Sequence, residues 1–164
     1  MKIGILSDTH SYLDKNIFEY FKDCDEIWHA GDIGDLAVTD SLKKFKKLRC
    51  VFGNIDDTEA RKEFPETMRF VCGGMVVLMT HIGGKPYVYP KNIHYELNNN
   101  PPDIFVCGHS HILKVGYDKK LNFLYINPGA CGIYGFHKVR TLIRFEIINK
   151  QPTNMEVIEL GERV

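Results

Sequence analysis

A chain of 164 residues, 44% apolar and 26% charged, is long enough to bury one core and too apolar to stay disordered. Basic and acidic residues balance at 21 each, so no overall field draws the protein to nucleic acid or to an anionic membrane. The five cysteines (Cys24, Cys50, Cys72, Cys107 and Cys131) are odd in number and include no Cys-x-x-Cys pair. They read as buried free thiols of a reducing compartment and exclude a disulfide framework or a thiolate zinc site.

The first element is an apolar run over 2–7 without clear alternation, the pattern of a strand buried on both faces. It is far too short for a signal peptide or a membrane span and ends on Asp8, so a cytoplasmic protein is expected. Leu13, Ile17 and Phe21 follow at spacings of four and predict an amphipathic helix. A second strand over 26–30 ends in Gly31-Asp32. Residues 35–48 carry Val38, Leu42, Phe45 and Leu48 on one helical stripe with lysines opposite, and a third strand over 49–52 ends in Gly53-Asn54. This strand–helix alternation argues for a parallel sheet covered by helices.

After residue 65 the texture changes. Runs at 67–72, 75–80, 104–107, 113–117, 122–126, 140–148 and 154–159 predict strands, and only about 91–98 predicts a helix. Gly73-Gly74 and the stretch 119–122 suit hairpin turns. No repeat, low-complexity segment or linker marks a boundary, so residues 1–164 read as one domain with two packed sheets.

Five strand ends share a pattern: an apolar run stops and a turn presents side chains able to bind metal. They are Asp8-Thr9-His10, Gly31-Asp32, Gly53-Asn54-Ile55-Asp56, Thr80-His81 and Gly108-His109-Ser110-His111. Ligands of open α/β sheets gather beyond the carboxyl ends of strands, so five such ends can converge on one site. Carboxylate oxygen and imidazole nitrogen suit divalent transition metals, and no thiolate lies in these motifs.

In this order the motifs resemble the signature of the calcineurin-like metallophosphoesterase superfamily: Asp-x-His, Gly-Asp, Gly-Asn-His-Asp/Glu, His and Gly-His-x-His. The resemblance runs from Ile3 to about Gly132. The small size and the segment Ile126-Asn127-Pro128-Gly129-Ala130 are similar to its short bacterial and archaeal phosphodiesterase branch. That resemblance implies a four-layer α/β/β/α sandwich of two packed mixed β-sheets flanked by helices. It implies Asp8, His10, Asp32 and His111 as ligands of one metal and Asp32, Asn54, His81 and His109 as ligands of the other, with Asp32 bridging. Two divalent ions are implied, Mn2+ first, with Ni2+, Fe2+, Zn2+ or Co2+ as chemically plausible replacements. The implied reaction is phosphodiester hydrolysis by in-line attack of a hydroxide held between the ions, with Asp32, Asn54 and His109 as catalytic residues.

The departure is Ile55, where the superfamily places a histidine linked to phosphate contact and leaving-group protonation. Isoleucine can do neither, which favours diesters or esters with low-pKa leaving groups. The small branch often lacks this histidine too. A small phosphodiester is the expected substrate. The neutral charge and the lack of a basic stripe argue against long nucleic acid, no membrane partner is expected, and a homodimer is left open. The rival reading is a non-catalytic interaction scaffold of the same fold, like the metallophosphoesterase-like subunit of the retromer coat. Beside the motifs, His29 reads as a packed or supporting histidine, His94 as solvated and His137 as a loop residue that can overhang the site. Asp56 is expected to orient a ligand histidine, and Gly83-Gly84-Lys85-Pro86 reads as a turn or a substrate-facing loop.

Overall fold

The unbroken apolar run at the N-terminus is a central strand. In the computed structural model, which describes residues 1–163, β1 (Lys2–Leu6) pairs in parallel with β2 (Glu26–His29) and antiparallel with β9 (Val139–Ile148). Adding β3 (Lys47–Cys50) and β10 (Gln151–Glu162) gives a five-stranded mixed sheet of order β10-β9-β1-β2-β3. The second sheet has the order β4-β5-β6-β8-β7, built from β4 (Thr67–Cys72), β5 (Met75–Thr80), β6 (Ile104–Val106), β7 (Leu113–Asp118) and β8 (Phe123–Pro128). Within it β5, β6 and β8 run parallel, while β4 and β7 pair antiparallel at the two edges.

Alternation along each strand sorts the apolar side chains into layers. Ile3, Ile5, Trp28, Ile143 and Phe145 of the first sheet meet Val77, Met79, Ile104, Val106 and Ile126 of the second in the central core. On the outer face of the first sheet, Leu6, Ile27, Cys50 and Leu142 pack under α1 (Asn16–Tyr20) and α2 (Ala37–Phe45) through Ile17, Phe21, Val38 and Leu42. On the outer face of the second, Leu78, Phe105, Phe123 and Tyr125 pack under α4 (Lys91–Asn99) through Ile93 and Leu97. The architecture is therefore the four-layer α/β/β/α sandwich that the motif resemblance implies. Both faces of both sheets are buried, which is why the central strands carry apolar runs rather than alternating ones.

Three elements differ from the sequence expectation. The third strand spans Lys47–Cys50, not 49–52: Val51 still bonds to the His29 carbonyl (3.2 Å), but Phe52 already turns to the Pro65 carbonyl. A short helix, α3 (Thr58–Glu63), was not signalled, since Ala60 is its one buried residue. It starts where the Asp57 carboxylate accepts the Ala60 N–H at 2.9 Å. The last strand is twelve residues long rather than six, with register shifts between Thr153 and Glu156 and between Glu159 and Gly161. The hairpins at Gly73-Gly74 and 119–122 join β4 to β5 and β7 to β8. All five cysteines are buried free thiols. Among the described residues no helix is long and apolar enough to cross a membrane.

Candidate metal centre

All the predicted ligands follow the carboxyl ends of parallel strands. Asp8 and His10 lie beyond β1, Asp32 beyond β2, Asn54 beyond β3, His81 beyond β5, and His109 and His111 beyond β6. The loops are stitched to one another by backbone bonds: Asp8 to the Gly31 carbonyl (3.0 Å), His10 to the Asp32 carbonyl (3.1 Å), Gly108 to the His81 carbonyl (3.0 Å) and Gly132 to the Asp8 carbonyl (3.1 Å). The last two strands of the first half approach so closely that a Cβ at Gly53 would collide with Asp32, its carboxylate and its backbone nitrogen. Only glycine fits there.

Five of these side chains are carried on left-handed backbone: Asp8 (φ 57°), His10 (46°), Asp32 (55°), His109 (67°) and His111 (57°). That conformation costs L-residues roughly 1–2 kcal/mol each, somewhat less for Asp, and persists only where the surrounding structure imposes it. Here it turns each side chain back over the end of its strand.

The side chains form two adjoining groups. Asp8, His10 and His111 offer ligand atoms within 4.8 Å of one another, and so do Asp32, His81 and His109. Asp32 links them: Oδ1 lies 3.2 Å from His81 Nε2 and Oδ2 lies 3.6 Å from His10 Nε2. Asp8 Oδ1 lies 3.1 Å from His111 Nε2 and 4.0 Å from His81 Nε2. Asp8 Oδ1, His10 Nε2 and His81 Nε2 are buried without a hydrogen-bond partner, because these close approaches lack hydrogen-bond geometry. A buried polar atom without a partner is costly, and three of them aimed into one space fit a cation. The family's divalent ions therefore suit this donor set of two carboxylates and four imidazoles.

Several of the other ring nitrogens and carboxylate oxygens are committed. His81 Nδ1 lies 2.7 Å from the Ala30 carbonyl and donates to it, which leaves Nε2 for the site. His137 Nε2 donates to the Gly132 carbonyl at 2.9 Å. Its Nδ1 therefore accepts from His111 Nδ1 at 3.2 Å, so His111 turns a lone pair at Nε2 toward Asp8. Asp8 Oδ2 accepts the His109 N–H (3.2 Å) and Asp32 Oδ1 accepts the Ile55 N–H (3.1 Å). Burial pushes the Asp32 carboxyl up, but His81, the Ile55 N–H and His10 outweigh it and hold it below the usual carboxylate range. Burial opposes charge on His81 too, yet Asp32, Asp8 and the Ala30 carbonyl raise its pKa. The site favours positive charge between these groups.

Asn54 is exposed at the rim and shares a pocket of about 340 Å³ with His81, Thr80 and Ile82. Its loop is gripped by Arg61, whose guanidinium donates to the carbonyls of Asp56 (2.8 Å), Gly53 (3.3 Å) and Asn54 (3.3 Å). Sequence reasoning missed Arg61 together with the helix that carries it. Asp56 does not orient a histidine as expected. Its carboxylate accepts the backbone N–H groups of Gly53 (2.6 Å) and Gly34 (2.9 Å) and so joins two loops, leaving the histidines to carbonyls and to His137. His29 is fully buried, accepting the Gly31 N–H at Nδ1 (3.2 Å) and donating from Nε2 to Thr9 Oγ1 (3.0 Å). It supports the site and does not enter it. His94 is exposed on α4 beside Asn98. Ile55 is 45% exposed at the mouth, with no proton to give.

The comparisons agree with this geometry. Residues 1–150 match the family model of the calcineurin-like phosphoesterase superfamily domain. A probable metallophosphoesterase of Methanocaldococcus jannaschii is 33% identical over 140 residues, covering 79% of this chain and 68% of that protein. A structure described as that of a novel archaeal phosphodiesterase superposes with a TM-score of 0.77 at 22% identity, covering 98% of this chain and all of the other. Vps29 of Chaetomium thermophilum has the same fold, with a TM-score of 0.75 at 14% identity and 99% of each chain covered. The chain belongs to the calcineurin-like phosphoesterase superfamily.

Proposed function

We propose that this protein is a dinuclear metal-dependent phosphodiesterase. The observation that carries the proposal is Asp32, whose two carboxylate oxygens face two separate histidine groups, 3.2 Å from His81 and 3.6 Å from His10. Asp8, His10, Asp32 and His111 would hold one ion, and Asp32, Asn54, His81 and His109 the other. Mn2+ is the first candidate, and Ni2+, Fe2+, Zn2+ and Co2+ accept the same nitrogen and oxygen donors. Such ions supply Lewis acidity: water of lowered pKa and neutralisation of phosphoryl charge.

The chain's own residues do the rest. His109 is exposed beside the pocket, in reach of an arriving phosphoryl group. No thiol competes as nucleophile: Cys107 and Cys131 are fully buried, and burial pushes both thiols up to about 12. Ile55 contributes a backbone N–H to Asp32 and an apolar side chain to the mouth. A leaving group with a high pKa finds no acid in that position, which favours diesters with good leaving groups over monoesters. The likeness to an archaeal phosphodiesterase supports the same preference.

The test is hydrolysis of bis-p-nitrophenyl phosphate and p-nitrophenyl phosphate by protein stripped of metal and reloaded with Mn2+, with bound metal counted by mass spectrometry. Two ions per chain and a diester preference are expected. Asp32→Asn is expected to lower diester turnover by about 10²–10³-fold, the scale for loss of one preorganised charge-stabilising group. Turnover that survives metal depletion sinks the proposal. The scaffold alternative, to which the Vps29 likeness lends weight, predicts no hydrolysis, with or without bound metal. A complete donor set with unpartnered buried atoms argues against it.

A further inference from the structure

His109 also forms one end of a groove that the metal centre does not explain. Its volume is about 750 Å³, in the range of pockets that enclose small organic ligands. Its walls are apolar: Ile82 (45% exposed), Val88 (61%), Ile112 (66%), Tyr87 (52%) and Tyr117 (50%). The far wall is a turn closed by paired bonds between Lys85 and Val88 (3.0 and 2.8 Å) and tied down by Tyr125, whose hydroxyl donates to the Gly84 carbonyl at 2.7 Å. The groove is thus built, not a gap between mobile loops.

Gly116 gives an independent sign. It lies within β7 and lines the groove, and a Cβ added there would meet nothing within 4 Å. No neighbour in the fold requires glycine at this place. Glycine inside a strand costs stability; with no register shift between β7 and β8 and no backbone within reach of a Cβ here, the use left to it is to admit a ligand close to the strand.

The polar groups of the groove indicate what kind of ligand fits. Tyr125 spends its hydroxyl on Gly84, and Tyr117 donates its own to Asn122 at 2.7 Å. Tyr87 donates its hydroxyl to the Tyr117 carbonyl at 3.5 Å, and Ser110 Oγ already accepts from Asn127 Nδ2 (3.1 Å) and from the Ile112 N–H (3.3 Å). The Ser110 hydroxyl proton, His109, Lys85 and Lys114 remain. That is a poor set for reading the edge of a nucleobase, which asks for several fixed donors and acceptors. It suits an apolar surface attached to an anion, with the lysines as a cationic rim.

We infer that this groove binds the apolar alcohol portion of the substrate, so that the preferred substrates are phosphodiesters carrying a long alkyl or aryl group. The inference rests on the phosphodiesterase reading above and specifies its substrate class. His109 belongs both to the donor set and to the groove lining, so an ester held at the metal centre would have the groove beside it.

The experiment uses Mn2+-loaded protein and p-nitrophenyl phosphate diesters whose second alcohol is methyl, butyl or octyl, with thymidine 5′-p-nitrophenyl phosphate alongside. The octyl ester is expected to exceed the methyl ester in kcat/KM by about tenfold or more, the effect of burying only part of the added chain. The thymidine ester should do no better than methyl. Gly116→Phe, which fills the groove from its floor, should abolish the octyl advantage and leave methyl ester turnover within about twofold. A flat series on a protein that hydrolyses the methyl ester overturns the inference, and so does preference for the thymidine ester. Inactivity on every diester overturns the phosphodiesterase reading instead. The groove is then judged separately by the fluorescence of 1-anilinonaphthalene-8-sulfonate with metal-free protein. Binding that Gly116→Phe removes supports an apolar site, and absence of binding overturns it. A dimer in sedimentation that Gly116→Phe splits would make the groove an interface between copies and also overturn the inference.

Discussion

Neither nitrogen of His111 is free to choose its proton. The Gly132 carbonyl can only accept, so His137 carries its proton on Nε2 and presents Nδ1 to the His111 N–H. Burial lowers the His137 pKa, which favours the neutral ring this relay needs. His137→Ala removes the partner that fixes the ring, and a supporting residue of this kind is typically worth about 10–100-fold in metal affinity. Chelator competition would measure it, and unchanged affinity would show that the relay is incidental. His29 makes a different case. Burial lowers its pKa from 6.5 to about 4, so the unfolded chain takes up a proton between these values and the folded one does not. Stability is therefore full above pH 6.5 and falls toward pH 4, by up to about 3 kcal/mol from this group alone. Urea unfolding of metal-free wild type and His29→Asn across that window should show the steeper acid loss in the wild type. Parallel curves would mean that His29 is charged in the fold or exposed to solvent.

At the scale of elements, the short helix α3 has a disproportionate role. The three bonds by which Arg61 grips the Asn54 loop depend on α3 starting at Asp57. Asp57→Ala should cost about 1 kcal/mol as the loss of an N-cap. It should also lower metal content in the group that includes Asn54, where a similarly destabilising core change such as Leu97→Met would leave metal content intact. That helix also shows where sequence reading ends. The strands were legible because burial on both faces forces continuous apolar runs. Six residues, Thr-Glu-Ala-Arg-Lys-Glu, with one small buried side chain carry no such periodicity. The outer strand β10 was underestimated for the complementary reason. Its ends are polar and exposed, and only pairing with β9 reveals them. The candidate metal-binding side chains were legible because they sit in the turns just beyond strand ends. Arg61 acts through backbone carbonyls five to eight residues away, and His137 through the Gly132 carbonyl and the His111 ring; bonds to carbonyls and to a ring 26 residues away leave no side-chain pattern in the sequence.

For the whole molecule, each donor group draws its side chains from both sheets. Asp8, His10 and Asp32 come from the first sheet, and His81, His109 and His111 from the second. Ions shared across this seam would fasten one sheet to the other. Addition of Mn2+ at about a thousandfold over its dissociation constant should stabilise the fold by about 4 kcal/mol and raise Tm by about 10 °C for a chain of this size. Scanning calorimetry with and without chelator measures it, and a Tm indifferent to metal would deny the coupling. The left-handed backbone beneath five of the ligands has a consequence over evolutionary time. Glycine accepts that conformation without the penalty that a Cβ brings. A lineage that ceased to use its ions would find stabilising replacements waiting at positions 8, 10, 32, 109 and 111. Mutation would then erase the centre before it eroded the core.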